Sequence, residues 1–213
     1  MCAYPPAETI ALDVSSLPSS TARPRTALHV EALLDPSQFD HETRSIRLLQ
    51  THISWIILTG DFAYKLKKPV NLGFLDFSTL ALRKHYCHEE LRLNRRFAPQ
   101  TYLAVVPITG TLDAPKLGGD GPAIDYAVRM REFAQSGLLD RVVCEGGLSS
   151  DQIDALAERV ASFHDQAKRP PANAALARAE DVACAVGENL DQLQPLLEQA
   201  DVARLQTLRR WNG

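Results

Sequence analysis

Apolar and polar positions change their period once along this chain, near residue 134. Before that point apolar residues fall in short, strand-like runs with one helical interruption; after it they recur every three or four positions. SIRLLQTHISWIIL (45–58) is dense in β-branched and apolar residues and too irregular for an amphipathic helix. It predicts two strands broken near Thr51-His52. A Thr59-Gly60-Asp61 turn leads into FAYKLKKPV, where Tyr64 and Leu66 alternate with Lys65 and Lys67, the period of a strand. Pro69 has no N–H to donate and ends that ladder. Leu82, Tyr86, Leu93 and Phe97 then share one helical face over about 79–97, with Asp76 or Ser78 as cap and Ala98-Pro99 as terminator. TYLAVVPIT (101–109) and AIDYAVRMREF (123–133) predict two more strands, joined through the turn-rich LDAPKLGGDG as a hairpin with a long tip.

Beyond Phe133 the pattern is helical throughout. SGLLDRVV (136–143) is short. Ser149 or Ser150 caps the next helix, whose Ile153, Leu156, Val160 and Phe163 form one face. RPPAN is a linker, and two further helices break around Pro195. Upstream, ALHVEALLDP (27–36) predicts a short helix closed by Pro36, and the Pro-, Ser-, Thr- and Ala-rich residues 1–25 predict a disordered leader. The expected architecture is α+β: an antiparallel-sheet lobe with one helix over 26–133, then an all-helical lobe over 134–213.

Composition narrows the setting. The 213 residues are 45% hydrophobic and 23% charged, enough for one large or two small domains. A formal net charge of −3 gives no global case for nucleic acid or an anionic membrane as partner. The basic face of 83–96 leaves RNA binding as a third, weaker possibility. No apolar window is long enough to span a bilayer, and the first residues lack the basic start and apolar run of a secretory signal. Cys2, Cys87, Cys144 and Cys184 are scattered without metal-ligand or redox spacing, so reduced thiols in a cytoplasmic protein are expected.

The chemistry concentrates at Lys65, Lys67 and Lys68. Three lysines on a strand can be a solvated edge that discourages further pairing. They can also point one ammonium into a cleft, where it meets phosphate oxygens as a point charge. Glu90 favours the second reading. It falls inside the apolar stripe of its helix, four residues after Tyr86 and three before Leu93, and a carboxylate there needs a partner. Glu89 is rotated roughly 100° away and is expected in solvent. A strand lysine held by a helix glutamate is the arrangement that orients nucleotide phosphates in kinases.

HISWIILTGDFAYKLKKPV, FLDFSTL, CHEELRLNRRFAP and YLAVVPI together resemble the N-terminal, protein-kinase-like half of a bacterial family of aminoglycoside-phosphotransferase-like proteins. Members are usually fused to a C-terminal P-loop ATP-binding domain. The resemblance covers roughly 27–210 and is strongest over 51–108. It implies a small-molecule phosphotransferase using ATP and Mg to phosphorylate a hydroxyl acceptor. Its Tyr-x-Leu-Lys-basic-Pro pattern implies Lys67 as the phosphate-contacting lysine and Glu90 as its partner. It implies Met130, Arg131, Glu132 and Phe133 as the segment whose backbone meets adenine. His52, Ile53 and Ser54 stand where the nucleotide-covering loop belongs, without its glycines.

Four other features carry less. Asp76-Phe77-Ser78 looks like a metal-binding Asp-Phe-Gly but precedes the Glu90 helix, where a cap fits better. Gly118-Gly119-Asp120-Gly121 precedes a strand rather than a helix and reads as a hairpin tip. His85 and His88 lack a third ligand at zinc spacing. His164 reads as a packing or capping residue. Phosphoryl transfer of this class needs an Asp base with an Asn five residues on. Leu66, Glu89, Lys168, Cys184 and Thr207 precede the five asparagines by that step, and none is Asp. The resemblance places the catalytic loop beyond Gly213, so a truncated, catalytically incomplete helical lobe is expected. The alternative is a non-catalytic nucleotide- or protein-binding module. Exposed Leu193, Leu196 and Leu197 would then favour self-association.

Overall fold

The computed structural model describes residues 10–12, 28–169, 179–197 and 199–212. It is α+β, with two compact units, Met1–Ile153 and Asp154–Gly213. The division lies twenty residues beyond the expected 133/134 boundary (153 against 133), so the short helical segment after Phe133 belongs with the sheet unit.

Seven strands build that unit: β1 (Ile10–Leu12), β2 (Arg47–Gln50), β3 (Ser54–Leu58), β4 (Phe62–Lys67), β5 (Tyr102–Gly110), β6 (Pro115–Leu117) and β7 (Asp125–Arg131). They form one sheet in the order β1-β2-β3-β4-β7-β5-β6, with every pair of neighbouring strands antiparallel. The break near Thr51-His52 and the turn at Thr59–Asp61 fall where the apolar pattern put them. Gly60 takes φ +97°, a conformation that favours glycine, in the β3–β4 turn. The long tip between β5 and β7 holds β6, a strand the hairpin reading lacked.

β1 corrects the leader. Ile10, Ala11 and Leu12 pair with Gln50, Leu49 and Leu48, so an Ile-Ala-Leu run inside the polar leader finds a sheet edge. The rest of the leader, like the RPPAN linker beyond Arg169, lies outside the described residues. The short helix expected over 27–36 is instead two 3-10 turns, Val30–Leu34 and Pro36–Gln38. Asp35 is extended between them and accepts the Ser37 N–H at 2.8 Å, which leaves too few residues to sustain an α-helix.

The sheet has two faces of different character. Tyr64, Leu66, Ile57, Leu48, Ala127 and Ile108 share one, buried under Leu28, Val30 and Leu33 of the first 3-10 turn. Alternation sends Ala63, Lys65 and Lys67 to the other, where α1 (Leu80–Asn94) packs on β7 and β5. Thr79 is the N-cap, its hydroxyl accepting the Leu82 N–H at 3.2 Å. Asp76 instead accepts the Ser78 N–H in a local turn. The inward side of α1 is also not the expected one. Arg83 and Cys87 are buried, Glu90 follows three residues on, and Leu93 of the apolar stripe is 46% exposed. The sheet offers this helix lysines and an aspartate, so charged residues turn inward to meet them.

At the far end of β7, Glu132 braces the β3–β4 turn. Its carboxylate accepts the Gly60 N–H at 2.7 Å and Arg47 at 3.2 Å, while its own N–H donates to the Asp61 carbonyl. Glu132→Ala is expected to lower unfolding free energy by about 1–3 kcal/mol, measured by urea denaturation, because a charge-assisted bond to a part-buried N–H is lost.

After Phe133 comes α2 (Leu139–Cys144), then α3 (Ser150–Gln166). Ser149 and Gln152 cap α3 reciprocally: the Ser149 hydroxyl accepts the Gln152 N–H and Gln152 Oε1 accepts the Ser149 N–H. On the predicted apolar face Ile153 and Leu156 are half-exposed. In the second unit α4 (Ala179–Leu193) and α5 (Gln199–Asn212) flank a 3-10 turn at Gln194–Leu196, the break expected around Pro195. Leu190 and Leu205 are buried there.

Candidate functional site

The site grows from the C-terminal half of β4. Residues two apart on a strand share a face, so Lys65 and Lys67 both reach toward α1. Glu90, seven residues into the inward side from Arg83, meets both. Its Oε1 accepts from Lys65 Nζ at 2.7 Å and its Oε2 from Lys67 Nζ at 2.7 Å. Glu90 therefore has two lysine partners, where sequence reasoning gave it one. Burial alone would raise the Glu90 carboxyl, but Lys65 and Lys67 outweigh it and hold the group below its ordinary range.

The two lysines differ in access. The Lys67 side chain is 6% exposed and its ammonium lies 4.7 Å from the Phe77 ring centroid, so it is enclosed between Glu90 and an aromatic face. The Lys65 side chain is 28% exposed. Lys68 turns away: its ammonium donates to the Thr51 carbonyl at 2.7 Å and to Gln50 at 3.2 Å, and burial lowers its pKa. It ties down the β2–β3 connection.

Beside Lys65 the same sheet face carries a buried apolar cluster of Leu49, Leu58 and Ala63, edged by the partly buried Ile56 and Met130. Ala63 precedes Lys65 by two residues and pairs with Met130, and Ile56 pairs with Lys65. Sequence reasoning missed this patch, although the β4 period that placed Lys67 also places Ala63 and Lys65 with it.

The other expected residues separate into two groups. Ser54 lies directly opposite Lys67 in the ladder and is buried, its N–H donating to the Thr51 hydroxyl at 3.0 Å. His52 is exposed in that tight turn. Both stand at the Lys67 end of the sheet. Met130, Arg131, Glu132 and Phe133 stand at the other end, about five residues or roughly 17 Å along β4. Within them Met130 joins the apolar patch and Phe133 is exposed. The Arg131 and Glu132 N–H groups already donate to Thr101 and Asp61 carbonyls, so neither is free for an adenine edge.

Cys87, buried beside this cluster, has its thiol pushed up to about 12 by burial and is no nucleophile. Arg83 and Asp125 make a second buried pair nearby, Nε to Oδ1 at 2.9 Å, with Arg83 also donating to the Phe77 and Ser78 carbonyls. That pair fixes α1 and the Phe77 loop against β7, and the helix pattern gave no sign of it. Among the described residues no group of His, Cys, Asp and Glu is arranged to hold a metal, His85 and His88 included. No helix described is long and apolar enough to cross a membrane.

Uncharacterized proteins of Mycobacterium bovis and Mycobacterium tuberculosis are 34% identical to the chain over 124 residues, a stretch that covers 58% of this chain and 23% of each relative. The matched stretch thus spans under a quarter of the length of these relatives. No protein-family profile matches, and no solved structure does.

Proposed function

We propose that this chain carries the nucleotide-binding half of a protein-kinase-like, ATP-dependent phosphotransferase acting on a small-molecule hydroxyl. The observation that carries the reading is Glu90 bridging Lys65 and Lys67 beside an apolar patch on one sheet face. An ammonium held by a carboxylate keeps its charge and its position, and so presents a preset cation to phosphate oxygens. The apolar cluster itself is buried, so a flat purine would lie at its partly buried margin, against Ile56 and Met130. Lys65, the more open of the two, reaches the phosphates, and Lys67 anchors Glu90 from behind. The aminoglycoside-phosphotransferase-like resemblance supports the same assignment, with the contacting lysine moved from Lys67 to Lys65. ATP fits this set of residues. Magnesium does not: Glu90 is committed to two lysines, and the acceptor and base are not supplied by the residues around it.

The test is titration calorimetry with MgATP. Lys65→Met is expected to weaken binding about tenfold or more, one charge-assisted contact, and to lower stability less than Lys67→Met does, since Lys67 still holds Glu90. Lys67→Met is expected to lower stability first. Equal affinity of wild type and Lys65→Met would remove the reading.

A second reading, a non-catalytic module for nucleotide or protein, draws on exposed Val182, Leu208 and Trp211 of the helical unit. Size-exclusion chromatography beside the ATP titration separates the two: concentration-dependent self-association without nucleotide affinity favours a protein-binding module.

A further inference from the structure

The face of the sheet opposite Lys65 carries a cavity of about 370 Å³, the size of a small-metabolite site. Phe39, Tyr64, Val106 and Leu117 give it apolar walls, and Lys116 and Arg129 give it two cations. Arg129 pairs with Tyr64 across β7 and β4, which fixes it on this face. Its guanidinium lies 3.9 Å from the Phe62 ring centroid and 5.8 Å from that of Tyr64, so aromatic rings hold it in place.

That guanidinium is under-satisfied. Arginine has five N–H donors. Here Nη1 meets Asp40 at 3.5 Å, a long contact to a carboxylate that is itself mostly exposed. Nε is buried and has no acceptor among the described residues. Native structures rarely leave charged donors in that condition. Lys116, on the short strand β6, has no ion-pair partner among the described residues. Gly118 and Gly119 line the same cavity with φ of +72° and +84°, so no side chain narrows the approach from that side. One exposed carboxylate therefore stands against two cations in a pocket with apolar walls.

We propose that this cavity is a second ligand site, distinct from the Lys65–Glu90–Lys67 cluster, and that it takes a small organic anion. The ligand is a carboxylate or phosphate on a compact apolar body, the anion between Arg129 and Lys116 and the body against Phe39, Val106 and Leu117. The shared chemistry is one anionic head on one small hydrophobic group.

The test is a titration of the full ¹⁵N-labelled chain, followed by amide shifts, with phenyl phosphate and benzoate as probes and phenol as the neutral control. Saturable shifts at Gly118 and Gly119 are expected with an anion and not with phenol, and the tighter of the two anions identifies the head group. Lys116→Ala should weaken that binding about tenfold and Arg129→Gln should abolish it, both leaving MgATP affinity unchanged. If Arg129→Gln fails to fold, Lys116→Ala decides alone, since Lys116 is exposed. Absence of shifts with both anions, an equal response to phenol, or full affinity in Lys116→Ala overturns the proposal.

Discussion

Glu90→Gln is expected to lose about 3–5 kcal/mol of folding stability in chemical denaturation, among the largest effects of a single change in this chain. The substitution is nearly isosteric, so packing hardly changes. What changes is charge: Lys67, 6% exposed, and Lys65, 28% exposed, are left facing each other without a carboxylate. Two neighbouring ammonium groups must then spread apart. The effect has a pH signature. Glu90 titrates below its ordinary 4.5 in the folded state, so its contribution is complete above that pH and is lost as pH falls through the folded value. The gap between wild type and Glu90→Gln should therefore hold at pH 6–8 and narrow below about pH 4.5. A constant gap down to pH 3 would mean the lysines are not held by an ionised Glu90.

Arg83→Met is expected to cost a similar amount, about 3–5 kcal/mol, by a different route. Asp125 is 2% exposed, and burial raises its carboxyl above the ordinary range even with Arg83 alongside. Without the guanidinium the aspartate is stranded. The Phe77 and Ser78 carbonyls also lose a donor, and the loop leading into α1 loosens. Changing both partners should be far less harmful than the sum. Arg83→Met/Asp125→Leu is expected to recover at least half of the loss, since apolar groups of similar volume often replace a buried pair at little cost. Additive losses in that double-mutant cycle would show that the two residues act separately.

β2 to β5 and β7 were legible because their signal is local, while the three-residue β1 and β6 are too short to show a period. Tyr64 and Leu66 alternate with Lys65 and Lys67, and Thr51-His52 interrupts an otherwise continuous apolar run. The start of α1 was legible as well, though the helix ends at Asn94, three residues short of the expected reach to Phe97. Its inner side was not. Arg83 and Cys87 look like a surface on a helical projection, while Glu90 stands as a charge inside the apolar stripe; only partners distant in sequence, Asp125 for Arg83 and Lys65 and Lys67 for Glu90, account for their inward turn. The expectation that Glu90 needs a partner is met, although it came from a stripe that proves partly exposed at Leu93. Lys65 and Ala63 were within reach, since the period that picked Lys67 puts all three on one face. Glu132 could not have been assigned from sequence, because its role depends on Gly60 lying beside it across the sheet.

The nucleotide reading is tested most directly by an acyl-phosphate derivative of ATP. A lysine held at the phosphates, once it has given a proton to solvent, attacks the acyl carbon as the free amine, breaks the acyl–phosphate bond, keeps the acyl group as an amide and releases ATP, its second proton also passing to solvent. Digestion and mass spectrometry then locate the label. Lys65 is expected to carry it, with excess MgATP suppressing it and Glu90→Gln scattering or abolishing it. Labelling spread over exposed lysines such as Lys84 and Lys116, with Lys65 unmodified and no protection by MgATP, would contradict the account.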